Sequence, residues 1–208
     1  DAEQKKISSA EEYFQKAIDK NPDFLQPYYS LARIYMADKQ VDKAIAKYEA
    51  LLNANPKQTA PHMFLGMIYE SRKQYDQSET HYRAALDINP EFAPAANNLA
   101  YILVEQDKDL NEALDFARIA REKLPNEPYV IDTMGWVYYK KGLYDSAIGE
   151  FTESLAKLPE NPTVNYHLGM AYYKKGDPEQ ARNYLEKALN ISSSFDGAQE
   201  AKQVLSGL

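Results

Sequence analysis

Apolar residues recur along this chain with a helical period, in short stretches separated by polar, proline-marked breaks. Between Pro128 and Pro162, Ile131, Met134, Gly135 and Tyr138 fall at helical spacing, which gives a first helix one apolar face. Gly142 ends that helix, Asp145 is placed to cap the next, and Ala147, Ile148, Phe151 and Leu155 lay down a second stripe. Pro159 closes the pair and Pro162 opens another. A helix pair this short has two apolar faces and cannot bury both alone. The pattern therefore predicts stacking on copies of itself.

Copies are present. Pro22, Pro56, Pro90, Pro125 and Pro159 recur every 34 or 35 residues. In each predicted first helix the same place is held by Leu31-Ala32, Leu65-Gly66, Leu99-Ala100, Met134-Gly135 and Leu168-Gly169. In each second helix, Ala44, Ser78, Ala113, Ala147 and Ala181 are followed four residues on by Tyr48, Tyr82, Ala117, Phe151 and Leu185. Small residues set against large ones let helix backbones approach and interlock. The expected organisation is a single all-α array: the second helix of a truncated repeat over 1–22, five hairpins over 25–56, 59–90, 93–125, 128–159 and 162–191, and a capping helix over 195–206. Prolines 27, 61, 94, 128 and 162 open first helices, where a missing N–H is tolerated. Asp42, Asp76, Asp145 and Asp177 are expected to cap the second helices. The third unit has one extra residue within EQDKDLNEA, most simply placed in its inter-helix turn.

With five copies in phase, the chain resembles the tetratricopeptide repeat (TPR) family, whose unit is a 34-residue helix-turn-helix. The aromatic residue of the family's fourth position is kept only as Tyr28, with His62, Ala96, Ile131 and Asn165 in the other units. NNLAYIL and DTMGWVYYKKGLYDSAI further resemble TPR lipoproteins of bacterial exopolysaccharide and exosortase systems. The family resemblance implies an α-solenoid wound as a right-handed superhelix, with a concave groove lined by first helices. Carried over position by position, it places Tyr29, Arg33, Met36, Met63, Phe64, Met67, Asn97, Asn98, Tyr101, Asp132, Trp136, Tyr139, Tyr166, His167, Met170 and Tyr173 on that groove, with Tyr129, Thr133 and Thr163 beside them. Tyrosine, tryptophan and methionine suit a binding surface because they bury area at low entropy cost or adapt in shape. The same residues at helical spacing also serve as helix-to-helix packing. The implied ligand is a protein or peptide segment, with Asn97, Asn98, Asp132 and His167 orienting polar groups. Trp136, the single tryptophan, is expected to be partly exposed. Neither the basic clamp for a terminal carboxylate nor an asparagine at every sixth position is present; only Asn98 supplies the latter.

Composition narrows the partners. The net charge of −7 argues against nucleic acid and anionic membranes, which call for a basic face. No apolar run approaches the roughly 18 residues of a membrane span, so no direct membrane insertion by this segment is expected. Cysteine is absent, which removes disulfides and thiolate sites without fixing the compartment. His62, His81 and His167 belong to no metal-ligand spacing, and no phosphate loop or catalytic triad pattern occurs, so neither cofactor nor enzymatic activity is expected. Residues 1–22 start in mid-repeat, so the chain reads as cut from a longer array. Ile7, Ala10, Phe14, Ala17 and Ile18 would leave an uncovered stripe there, which predicts a homodimer through that end. The function expected is non-catalytic partner binding. The alternatives are a self-assembling scaffold and the guiding arm of a larger enzyme or envelope complex.

Overall fold

The computed structural model describes the backbone of residues 2–22, 24–37 and 40–208, and their side chains except residues 2–7, 25, 33, 36 and 37. Expectations that rest on the side chains of Ile7, Arg33 and Met36 lie outside the described residues. Twelve α-helices and no strand occur among the described residues, which makes the fold an all-α solenoid of helical hairpins. It comprises two compact units, residues 1–95 and 96–208.

The first unit contains α1 (Ala2–Lys20), α2 (Leu25–Ala37), α3 (Val41–Ala54), α4 (Thr59–Ser71) and α5 (Tyr75–Ile88). Its interior is aromatic. The Tyr28 ring stacks on Phe64 at 5.7 Å, and the Tyr48 hydroxyl donates to the Tyr28 carbonyl at 3.0 Å. Tyr82 lies flat against Gly66, where an added Cβ would sit 2.4 Å from the ring. That is why the small position of α4 is glycine. Ser78 holds the small position of α5 while its hydroxyl donates to the Gly66 carbonyl at 2.8 Å, so the buried hydroxyl of Ser78 is paired.

His62 and His81 meet between α4 and α5, their Nδ1 atoms 3.1 Å apart, with Tyr69 stacked on His81 at 5.5 Å. Burial, and then the neighbouring His62, push His81 down to about 4, and burial also lowers His62. The folded state thus binds fewer protons than the unfolded chain, whose histidines titrate near pH ~6.5. The pair's contribution is complete above that pH and is lost progressively as pH falls towards 4. The urea midpoint of wild type is expected to drop more between pH 7 and pH 5 than that of His81→Phe, which keeps the stack on Tyr69. Equal drops would remove the pair as the cause.

The second unit contains α6 (Ala93–Glu105), whose first residues belong to the first unit, then α7 (Leu110–Lys123), α8 (Pro128–Lys140) and α9 (Tyr144–Lys157). α10 (Pro162–Lys175), α11 (Pro178–Ile191) and α12 (Ala198–Gly207) complete it. Here the small-against-large rule is carried by Gly135 under Phe151 and Gly169 under Leu185, with added Cβ atoms 2.6 and 2.7 Å from those side chains. The extra residue of the third hairpin lies in the turn between Glu105 and Leu110, where Asp107 adopts φ 48°. α12 starts after Gly197 (φ 98°), where a Cβ would meet the Tyr166 ring at 2.4 Å. Phe195 packs on the same ring at 5.7 Å.

The expected aspartate caps need correction. Asp177 does cap α11, accepting from the Gln180 N–H at 3.1 Å. Asp42, Asp76 and Asp145 do not cap: Gln40, Gln74 and Leu143 occupy the N-cap positions, without side-chain capping bonds. Those aspartates stand two positions past the N-cap, where the N-terminal dipole still favours a negative charge. Asp109 is the cap that went unpredicted, accepting from the Asn111 and Glu112 N–H groups, because the longer turn before α7 places it at the boundary. Asp42 and Asp145 instead pair with Arg72 (2.7 Å) and Lys175 (2.6 Å), and Lys141 donates to Asn111 (2.7 Å). Each of these links joins the start of a second helix to the end of the first helix one hairpin later. They are exposed and screened by solvent, so each contributes little to stability.

Candidate functional site: a polar cavity beside an aromatic stack

In the second unit, three successive first helices, α6, α8 and α10, contribute to one open cavity of about 280 Å³. α6 supplies Asn97, Asn98 and Tyr101, α8 supplies Tyr129, Asp132 and Thr133, and α10 with its N-cap supplies Asn161, Thr163, Val164 and His167. Residues on neighbouring hairpins come together because the repeat period returns each first helix to the same register. Asn161 is fixed by capping α10, its side chain accepting from the Val164 N–H at 3.1 Å. Pro162 follows it at the first helical position, where a missing donor costs nothing.

The cavity wall is internally bonded. Asn97 donates to the Asn98 side-chain oxygen at 3.2 Å, and the Thr133 hydroxyl donates to the Tyr129 carbonyl at 3.0 Å. His167 and Asp132 are both buried, with Nδ1 2.9 Å from one carboxylate oxygen and 3.1 Å from the other. A carboxylate accepts, so His167 presents its Nδ1–H to Asp132. The Asn97 Oδ1 atom is enclosed and has no hydrogen-bond partner.

Behind His167 stands an aromatic stack. Trp136 lies 4.1 Å from the His167 ring on one side and 4.6 Å from Tyr139 on the other, both nearly parallel. Its indole N–H donates to Glu105 at 2.6 Å, and the Tyr166 hydroxyl donates to Glu200 at 2.7 Å. Burial, then the carboxylate of Glu200, push the Tyr166 hydroxyl well above the ordinary phenol range, and burial does the same to Tyr139. These hydroxyls stay protonated, and that of Tyr166 acts as a donor. Trp136 is therefore not partly exposed as expected: it is 6% accessible, because α10 brings His167 over one ring face and Tyr139 covers the other.

The other candidates divide. Tyr166 is 4% accessible, and Met63, Phe64 and Met170 are also interior, where they pack helix on helix. Tyr29 sits in the first unit with its ring edge-on to Phe64 at 4.7 Å, and Met67 is half-buried. Tyr173 is 39% and Tyr129 56% accessible, so both present ring surface to solvent. Asn161 and Val164 line the cavity without being among the sequence candidates; the Asn-Pro pair at 161–162, a helix-start signal, is what marks the first of them. Among the described residues no group of three or more histidines, cysteines or carboxylates is arranged to hold a metal ion, and no helix is long and apolar enough to cross a membrane.

The architecture and this first-helix face define a helical-hairpin repeat protein. Two family models, each described as tetratricopeptide repeat, match the chain, one over residues 1–68 and 138–194 and the other over 60–92. The chain belongs to the tetratricopeptide repeat family. A comparison with curated proteins by sequence finds no match. Among solved structures, it is similar to YrrB, described as a TPR protein with an unusual peptide-binding site, at 24% identity and a TM-score of 0.64, over 91% of this chain and 97% of that one. It is similar to PilW, described as a widely conserved type IV pilus biogenesis factor, at 22% identity and a TM-score of 0.70, over 86% and 88% of the two chains. It is also similar to the Cut9–Hcn1 hetero-tetramer of APC/C, at 20% identity and a TM-score of 0.76, over 97% of this chain and 39% of that one. At these identities the likeness establishes the fold.

Proposed function

We propose that this chain is a non-catalytic protein-interaction module whose second unit holds a peptide or extended segment of a partner across α6, α8 and α10. The cavity shared by those three helices carries the proposal. It is concave and polar-walled, and the rings of Tyr101 and the exposed Tyr129 are among its lining. Such tyrosines serve as anchors, while Asn97, Asn98, Asp132 and His167 orient the ligand's polar groups. The buried Trp136, Tyr139 and Tyr166 hold that wall in place instead of touching the partner. The peptide-binding site named for YrrB supports the same kind of ligand for this fold.

The test is selection of peptides from a display library on the full chain, followed by titration of the selected peptides into labelled protein. Their chemical-shift changes are expected on α6, α8 and α10. Tyr129→Ala, at an exposed position that leaves folding intact, should weaken binding by about tenfold or more, the effect of losing roughly 1.4 kcal/mol at an anchor. Shift changes confined to α7, α9 and α11, with Tyr129→Ala binding as wild type, would place the interaction on the opposite face.

A further inference from the structure

We infer that the cavity between α6, α8 and α10 is a subsite for a cation, the ammonium or guanidinium group of a lysine or arginine side chain in the bound segment. This inference rests on the groove proposed above and narrows its chemistry. Three observations carry it.

The first is the hydrogen-bond inventory of the wall. Three of its donors are consumed inside the protein: the Asn97 amide by Asn98, the Thr133 hydroxyl by the Tyr129 carbonyl, and the His167 Nδ1–H by Asp132. Among the enclosed side-chain atoms of the lining residues, the one without a partner is an acceptor, Asn97 Oδ1. An enclosed acceptor without a donor is unfavourable, and a ligand donor that meets it on a small turn of the Asn97 side chain relieves it. The wall therefore favours a donor-rich ligand over an acceptor such as a carboxylate or phosphate.

The second is charge. Asp132 is the one acidic residue in the lining, and no lysine or arginine is among the lining residues. One His167 N–H cannot satisfy both carboxylate oxygens, each of which has more than one lone pair to offer. Two further carboxylates stand at the aromatic stack behind, Glu105 on the Trp136 N–H and Glu200 on the Tyr166 hydroxyl. Lys140, whose ammonium lies 5.7 Å over the Trp136 ring, is engaged by Asp107 at 3.1 Å. A neutral amide would satisfy Asn97; a cation also meets the carboxylate lone pairs of Asp132 that one N–H leaves open.

The third is the pair of phenol rings among the lining residues, Tyr101 and Tyr129. Aromatic faces attract a cation held within about 6 Å and suit the methylene stem of a lysine or arginine. A volume of about 280 Å³ admits such a head group and part of its stem.

The experiment uses the full chain, with n-butylammonium and n-butylguanidinium as probes and butanol and butyrate as controls of similar size. The readout is the side-chain amide resonances of Asn97 and Asn98. Both cations are expected to shift these resonances saturably, with butanol at least tenfold weaker and butyrate silent. Asp132→Asn, which still accepts from His167, should weaken the cations at least tenfold. Equal responses to butanol and to the cations in wild type, or no saturable shift with either cation, would overturn the inference without recourse to any variant. Selected peptides separate it from the groove proposal. Peptides that bind across α6, α8 and α10 without lysine or arginine would leave the groove and remove the cation subsite. Amine binding with no peptide selected would keep the subsite and remove the groove.

Discussion

Phe151→Ala is expected to lower the stability of the second unit by about 3–5 kcal/mol, the range for deleting a buried aromatic ring. The ring is fully buried on α9, tilted against His167 at 5.4 Å and against Gly135 of its own hairpin. The vacated space has little to fill it, because Gly135 has no side chain to move in. Urea unfolding followed by circular dichroism reads the effect directly. The converse change, Gly135→Ala, is expected to cost about 1–3 kcal/mol through overpacking, since its new carbon would lie 2.6 Å from the Phe151 ring and 3.2 Å from Glu150 Cβ. Combining Gly135→Ala with Phe151→Leu should be less destabilising than the sum of the two single changes, because each relieves the other. Strict additivity would mean that the glycine and the phenylalanine do not form a complementary pair.

The second large effect is expected at Asp132. Asp132→Ala leaves the Nδ1–H of a 3% accessible His167 without its acceptor, at a cost of about 1.5–3 kcal/mol for a hydrogen bond to a charged group. The damage should spread to the stack, because His167 covers one face of Trp136 at 4.1 Å. A red-shifted and more readily quenched tryptophan emission is the signature. Asp132→Asn keeps an acceptor in place and should retain both stability and the native emission. If alanine and asparagine behave alike, the side chain is not what positions His167.

The repeat itself was legible because it is written in local residues. Proline at each hairpin boundary and the alternation of glycine or alanine with tyrosine, phenylalanine or leucine depend only on spacing along the chain. Asn97, Asn98, Asp132 and His167 were legible as neighbours for the same reason: one repeat of offset returns each to the same face. The accessibility of Trp136 was not. It is decided by His167, 31 residues further on, and by Glu105, 31 residues earlier, and no local pattern says how closely those side chains close over an indole. The aspartate caps were misplaced for a different reason. Whether an aspartate sits at the N-cap or two positions past it depends on turn length, which differs between the turn before α7 and the turns before α3, α5 and α9. The His62–His81 contact was missed because the two residues hold unlike positions in the repeat and meet only across a hairpin.

The seating of α12 has one consequence for engineering. Gly197 rests its bare backbone on the flat of Tyr166, and Glu200 fastens the phenol from one turn further on. The last helix thus grips the Tyr166 ring through a socket only glycine provides, with Ala198 and Ala201 buried beneath it. Swapping that segment for a further hairpin that offers the same notch and carboxylate would lengthen the array from this end, leaving the upstream interior as it is.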